Sequence, residues 1–483
     1  MAQGEPTQTA SSGGAQVRGH TSMTHPIAPV TGGHSDELRL ALHQLDAAPG
    51  RLDRLVKAWT GTSPAAFLSK ESRASLDDRL ARLGVNFPRL AVDALVERLD
   101  LAGIGAPDAP TWGRFLRANG RELAGIVHTD RLLFGSSYVT VWATETGRAT
   151  LTPDSPLTMT HRSDPATGET LWAARRWDTG TELRPETTVE LYLADRVERY
   201  TTSSSTLGNP YAWTRRRVID NPLGVVPVVP FVRRVSLTDP PTGASAVEDI
   251  LDLTDALAKL LGDAMVTSEY AARPRRWATG LEIEEDEDGN IVDPFGSGRF
   301  LQSEAPDTEF GQLPASRLDG YADLMAALTQ QIGALTGLPA HYLGLHGDQP
   351  ASADGIRSAE AQLVARARAE QRAMTNEWAT VGGMLDAVED ARPFVPSTVD
   401  PSLVSWANPE TSTPAMDADA AVKLAGIGLP LDVLLVDRMG YDPDEARRIA
   451  DRAHGRAVEL AAARTRSTRP EPVVVPTESD PVT

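Results

Sequence analysis

The chain has 483 residues, 41% of them hydrophobic and 23% charged, enough apolar material for an extensive core in roughly two to four lobes. Its 66 acidic and 47 basic residues give a formal charge of −19, a poor balance for tight sequence-independent nucleic-acid binding, which needs cations to neutralise phosphates. There is no cysteine, which removes disulfides, thiolate-held zinc and thiol catalysis together.

Residues 1–34 are rich in Gly, Ser, Thr and Gln and read as a disordered tail without the apolar core of a signal peptide. Residues 35–120 are mostly helical in pattern, although "RLAVDALVERL" at 89–99 suits helix or strand. Residues 112–135 read as a helical pair broken at Gly120. From 136 to 220 short runs rich in Val, Thr, Trp and Tyr alternate with turn residues, the pattern of antiparallel strands. In "NPLGVVPVVPFVRR", residues 221–234, Pro222, Pro227 and Pro230 argue against a central strand and for an extended crossing segment.

A helix is expected next, opened by Ser245 and Glu248 in a capping-box spacing, with Ile250, Leu253, Leu257, Leu260, Leu261 and Ala264 on one face, and stopping near Pro274. A second spans 316–336. Its Leu318, Tyr321, Met325, Leu328, Ile332 and Leu335 make a narrow seam at alternating spacings of three and four, which suits lengthwise packing on a partner helix or an ordinary core helix. A third runs from about 352 to 391, with Leu363, Met374, Trp378, Val381 and Leu385 on one face, about 60 Å long. Three short helices follow, the last opened by Asp442, Pro443 and Glu445. Residues 465–483 form a Pro-rich tail. No run of about 18 apolar residues suggests a membrane span.

Between the first two long helices lies "ARPRRWATGLEIEEDEDGN", residues 272–290. With its continuation to 314 it reads as a small β excursion, with candidate strands at 277–283 and 299–303 and a polar turn between them. Arg273, Arg275, Arg276 and Trp277 admit three readings: cations complementing a helix C-terminus, anchors of an interface between subunits, or a stacking and phosphate-binding patch. The carboxylates Glu284, Glu285 and Asp286 belong to the solvated turn. As a calcium loop the segment fails, since Phe295 stands where a bidentate Glu is required.

No catalytic motif emerges. None of the four lysines follows a glycine, so the phosphate-binding G-K-[ST] loop is absent, as are H-E-x-x-H and G-x-S-x-G. His341 and His346 lack a third ligand at metal spacing. No cofactor is expected, and the residues point to a structural or assembly role rather than an enzyme.

The order of elements, with "HTDRLLFGSSYVTVW", "NPLGVVPVVPF", "EDILDLTDALAKLLGDAMVTSEYAARPRRW", "TGLPAHYLG", "SADGIRSAEAQLVARA" and "ANPETSTPAMDADAAVKL" in sequence, resembles the portal proteins of tailed bacteriophages, in the subtype common in actinobacterial phages and prophages. The likeness covers roughly 90–460. It implies an α+β fold: a wing over 35–244, a first stem helix over 245–272, a clip over 273–315, a second stem helix over 316–338, a tunnel-loop region over 339–355, a long helix with its return to the wing over 356–407, and a helical crown over 408–464. Leu253, Leu257, Leu260, Leu318, Tyr321, Met325, Leu328 and Ile332 would pack the stem. Arg273, Arg275, Arg276, Trp277, Glu284, Glu285 and Asp286 would meet the terminase or a neighbouring subunit. His346, Gly347, Asp348 and Gln349 would approach the DNA.

The resemblance further implies a ring, dodecameric in the family, at one capsid vertex in the virion. Double-stranded DNA passes through it without being held tightly. The terminase large subunit and later the head–tail connector dock on its clip, and the major capsid protein surrounds its wing. Assembly takes place in the host cytoplasm. Another virion component, a capsid or connector subunit, is the competing reading, and electron microscopy separates rings from closed shells or monomers.

Overall fold

The structure is a computed structural model that describes residues 36–63, 84–106, 108–179, 186–202, 213–272, 276–280, 307–312, 318–345, 353–411, 414–439, 441 and 443–467. It opens with helices α1 (Asp36–Ala47), α2 (Pro49–Thr60) and α3 (Phe87–Val96). The ambiguous run at 89–99 is thus helical over most of its length. Strand β1 (Leu101–Ile104) leads to α4 (Thr111–Arg117) and α5 (Gly120–Phe134). The break between α4 and α5 falls where expected. Asn119 takes a left-handed φ of 56°, and a Cβ on Gly120 would lie 2.4 Å from the Phe115 ring, so only glycine lets the two helices turn this closely.

Strands β2 (Ser136–Ala143), β3 (Ala149–Asp154), β4 (Met159–Ser163), β5 (Thr170–Asp178), β6 (Thr187–Tyr192), β7 (Arg196–Thr202), β8 (Thr214–Asp220) and β9 (Val228–Val232) build two antiparallel sheets, ordered β3-β2-β9 and β4-β5-β6-β7-β8. Alternate residues of β5 serve two layers. Trp172 and Ala174 pack under α1 with Leu38, Ala41 and Leu42, while Ala173 faces Tyr138, Val226 and Val228 of the other sheet.

The proline-rich crossing segment does form a strand, β9, but at a sheet edge, and β2 takes the central place. Arg233 N–H donates to Gly135 and Val141 N–H to Pro227, so the alternate residue Pro230 turns its nitrogen to the open edge, where no ladder donor is required.

The chain continues with α6 (Leu251–Ala272), a two-stranded ribbon β10 (Arg276–Thr279) and β11 (Glu309–Gln312), then α7 (Asp319–Thr336) and the 37-residue α8 (Ala353–Glu389). Strand β12 (Val404–Trp406) returns to pair with β1. Helices α9 (Pro414–Gly426), α10 (Leu431–Met439) and α11 (Pro443–Ser467) end the described chain. The fold is α+β. The main core gathers residues of α2 to α8, β2 and β9 around the fully buried Trp378.

Two expectations are corrected, and a third falls outside the described residues. Ser245 and Glu248 form no capping box: Ser245 Oγ accepts from Val247 N–H at 3.1 Å, and Glu248 turns instead to Arg51 at 2.7 Å. A short 3-10 turn at Glu248–Ile250 precedes α6, so the spacing that imitates a cap serves a tertiary ion pair. The partner of the Trp277 strand is Glu309–Gln312; the expected strand at 299–303 lies outside the described residues. The last helix has 25 residues and reaches Ser467, into the stretch expected as tail.

Candidate functional site: a helix pair and its ribbon

Helices α6 and α7 pack on each other over their length. Leu257 and Ile332 are buried in the seam. Leu253, Met325 and Leu328 are half-buried against the main core, and Leu260 and Tyr321 are half-buried further along. The Thr267 and Tyr321 hydroxyls meet at 3.2 Å, tying the pair at the ribbon end. At the other end α2 holds α6: besides Arg51–Glu248, Arg54 reaches Asp252 at 2.5 Å and Asp255 at 3.0 Å. The Arg51 hydrogen bond draws Glu248 below its ordinary pKa. Gly337, left-handed at φ 74°, closes α7.

The seam does not consume all the apolar surface. Leu318, the first residue of the expected stripe, is exposed, and so is Leu335, its last. Leu324, 49% exposed, stands three helical turns from Leu335 and so on the same line of α7. Met265 of α6 is exposed as well. Leu324 and Met265 were not singled out from sequence. The signal for Leu324 was its spacing from Leu335, masked by the stronger 3-4 seam.

The ribbon is short and antiparallel, with Trp277 opposite Gly311 and Ala278 opposite Phe310. Residues opposite one another share a face and neighbours along a strand alternate, so Trp277 and Phe310 mark opposite faces. They are 41% and 39% exposed. Trp277 lies across its partner so closely that a Cβ on Gly311 would fall 2.3 Å from the indole. One side of the indole is therefore seated on backbone while the remainder faces outward.

Of the residues expected to act here, Arg276 supplies backbone to β10 and Trp277 is exposed on it. Arg273, Arg275, Glu284, Glu285 and Asp286 lie outside the described residues, as do His346, Gly347, Asp348 and Gln349. The chain on either side of 346–352 is held by one buried carboxylate. Glu360 of α8 meets Arg98 at 3.2 Å and accepts from Tyr342 Oη at 3.4 Å and Thr411 Oγ1 at 2.5 Å. His341 stands 3.7 Å from the same carboxylate. Among the described residues no group of His, Asp or Glu is arranged to hold a metal, and no helix is long and apolar enough to cross a membrane.

Helix α8 is locked into the body by polar contacts that sequence reasoning missed. Glu370 receives Arg131 of α5 on one oxygen and Arg233 on the other, the latter at 2.8 Å. Burial works against its charge, but the two guanidiniums hold Glu370 below the usual carboxylate range. The Trp378 indole N–H donates to His128 Nε2 at 3.0 Å. Burial, reinforced by Arg131, depresses His128 to about 3, so the ring is neutral and can accept. Arg114 of α4 clasps the end of α8 through Asp386 at 2.6 Å, Glu389 at 3.0 Å and Asp390 at 2.6 Å. These partners lie 137 to 276 positions apart, and no local pattern announces them.

The chain is 28% identical over 389 residues to the portal protein of Mycobacterium phage L5, covering 75% of this chain and 76% of that one. To the portal protein of Mycobacterium phage D29 it is 28% identical over 392 residues, 75% of this chain and 78% of that one. Among solved structures, a chain of the virion of a native gene transfer agent particle aligns at 15% identity and a TM-score of 0.42, over 78% of this chain and 94% of that one. A chain of the neck of the native particle, computed with C12 symmetry, aligns at 15% identity and 0.42, over 79% and 97%. Residues 125–429 match the family described as phage portal protein, SPP1 Gp6-like. With more than half its length inside that match, the chain belongs to the SPP1 Gp6-like family of phage portal proteins.

Proposed function

We propose that copies of this chain form a ring, dodecameric as in the family, at one vertex of the virion, and that double-stranded DNA is packaged and ejected through its axis. Helices α6 and α7 are the stem and the β10–β11 ribbon belongs to the clip. Residues 35–244 with the return strand β12 are the wing, and α9 to α11 the crown. The terminase large subunit and then the head–tail connector dock on the clip, with Arg273, Arg275, Arg276, Trp277, Glu284, Glu285 and Asp286 as contacts to them or to the adjacent subunit. His346, Gly347, Asp348 and Gln349 approach the DNA from a tunnel loop. The major capsid protein contacts the wing. The role is structural, without catalysis of its own, and assembly takes place in the host cytoplasm.

The observation that carries this reading is the ribbon with an exposed aromatic on each face, at the end of a helix pair that keeps apolar residues outside its own seam. An element placed between two neighbours has two faces to cover, and its strand edges are open to pairing. The net charge of −19 suits a conduit that passes DNA without gripping it. Electron microscopy of the purified chain tests the proposal. Rings with an axial hole are expected, while closed shells or lone monomers at high concentration would refute it.

A further inference from the structure

The segment 233–244, between β9 and the approach to α6, is a small loop clamped at its base. Ala244 N–H donates to the Arg233 carbonyl at 2.9 Å, and the Arg233 guanidinium returns a bond to the Ala244 carbonyl at 3.1 Å. Inside it Asp239 Oδ2 accepts from Val235 N–H at 2.7 Å and Ser236 N–H at 2.9 Å, and Arg234 donates to the Pro241 carbonyl at 3.2 Å. This framework holds up two apolar side chains with nothing over them: Val235 is 70% exposed and Leu237 106%. A fully exposed leucine on a mobile tail would mean little, but on a hydrogen-bonded loop it is a preformed knob whose ordering cost is already met.

The base of the loop carries a second, independent feature. Three arginines converge on one carboxylate. Arg131 and Arg233 each bond one oxygen of Glu370, and Arg366, one turn earlier on α8, senses its charge but bonds neither oxygen. Arg366 is half-buried, with its guanidinium against Gly337 at the C-terminus of α7, and no hydrogen bond or ion pair joins it to the described residues. The buried Arg131 Nε is also without a partner. The helix end supplies about half a negative charge at most, so a cationic excess remains in a partly desolvated place, where an unanswered charge is costly.

We propose that the knob and the arginine cluster form one docking surface, and that its occupant in the assembled ring is the adjacent copy of this chain, which covers Leu237 with apolar side chains and brings a carboxylate to Arg366. The inference rests on the ring reading and names a contact within it. Two observations select a second copy. The loop leads straight into the stem, since Ala246 N–H is bound to the Leu132 carbonyl and α6 starts at Leu251, so the knob stands beside the element that the ring bundles. A chain with 66 acids against 47 bases offers its neighbour carboxylates in surplus, the counter-charge that an unanswered arginine needs.

The test uses the full chain. Leu237→Asp should raise the concentration needed for ring formation about tenfold or more, as measured by particle mass, with the thermal unfolding of the monomer unchanged. Arg366→Gln should make the rings fall apart at lower salt than the parent. With a photo-reactive p-benzoylphenylalanine at position 237, illuminated rings should give a ladder of cross-linked copies. Rings of both variants that match the parent, with no ladder, would overturn the inference while the ring reading stood. Intact Arg366→Gln rings with reduced DNA retention in filled heads would assign the cluster to phosphate and overturn it too. If the parent chain forms no ring, the ring reading fails first and this contact with it.

Discussion

The passage of α8 through the body and the α6–α7 pair with its ribbon are built on different terms. Where α8 passes through the body, Trp378 is enclosed by Phe115, Phe231 and His128, and Glu370 is held by Arg131 and Arg233. Along the helix pair and ribbon, Leu324, Leu335, Met265, Trp277 and Phe310 remain open to water. Isolated exposed apolar residues are ordinary. These five are confined to one extended element whose own seam is already filled, so what stays outside is surface left over for something else. One region makes the protomer stable, and the other, in the proposed ring, is completed by neighbouring copies.

Substitutions break or sharpen this contrast. The largest loss is expected at the centre of the first region: Trp378→Ala should destabilise the protomer by about 3–5 kcal/mol, read by denaturant unfolding, because it empties the core and strands His128. Glu370→Ala should follow at about 3 kcal/mol or more, since Arg131 would be left buried without a counter-charge; a loss below about 1 kcal/mol would show that water reaches Arg131. Acid should weaken the same region through His128. Its folded pKa of about 3 lies below the ordinary value near 6.5, so the unfolded chain binds the extra proton between those limits, and stability falls as pH drops through that window by up to about 1.4 kcal/mol per unit. His128→Gln, which keeps an acceptor for Trp378, should flatten the pH dependence by that amount; an unaltered slope would acquit His128. The smallest effect on the protomer is expected from Trp277→Ala with Phe310→Ser, within about 0.5 kcal/mol, while ring formation declines sharply. Rings of normal mass from that double variant would erase the distinction between the two regions.

The two regions also differed in how far the sequence disclosed them. The α7 seam was readable because Tyr321, Met325, Leu328 and Ile332 repeat locally, and the strands of 136–220 because β-branched and aromatic runs alternate with turn residues. Position along the chain and the element order then carried the family. Long-range polar contacts left no trace: nothing near Glu370 reveals that Arg131 and Arg233 lie against it. Glu248 shows how a local rule misleads, since its spacing from Ser245 signals a cap while its carboxylate serves Arg51. The ribbon strand Glu309–Gln312 was not anticipated because it is only four residues long, too short for a period to emerge.

The most direct test of the central claim, that the helix pair and ribbon are completed by neighbouring copies, is hydroxyl-radical footprinting of the chain as monomer and as assembled particle. Labelling at Trp277, Phe310, Met265 and Leu324 is expected to drop several-fold on assembly, while Trp378 stays unlabelled in both. Equal labelling of those four positions in monomer and particle would contradict the account.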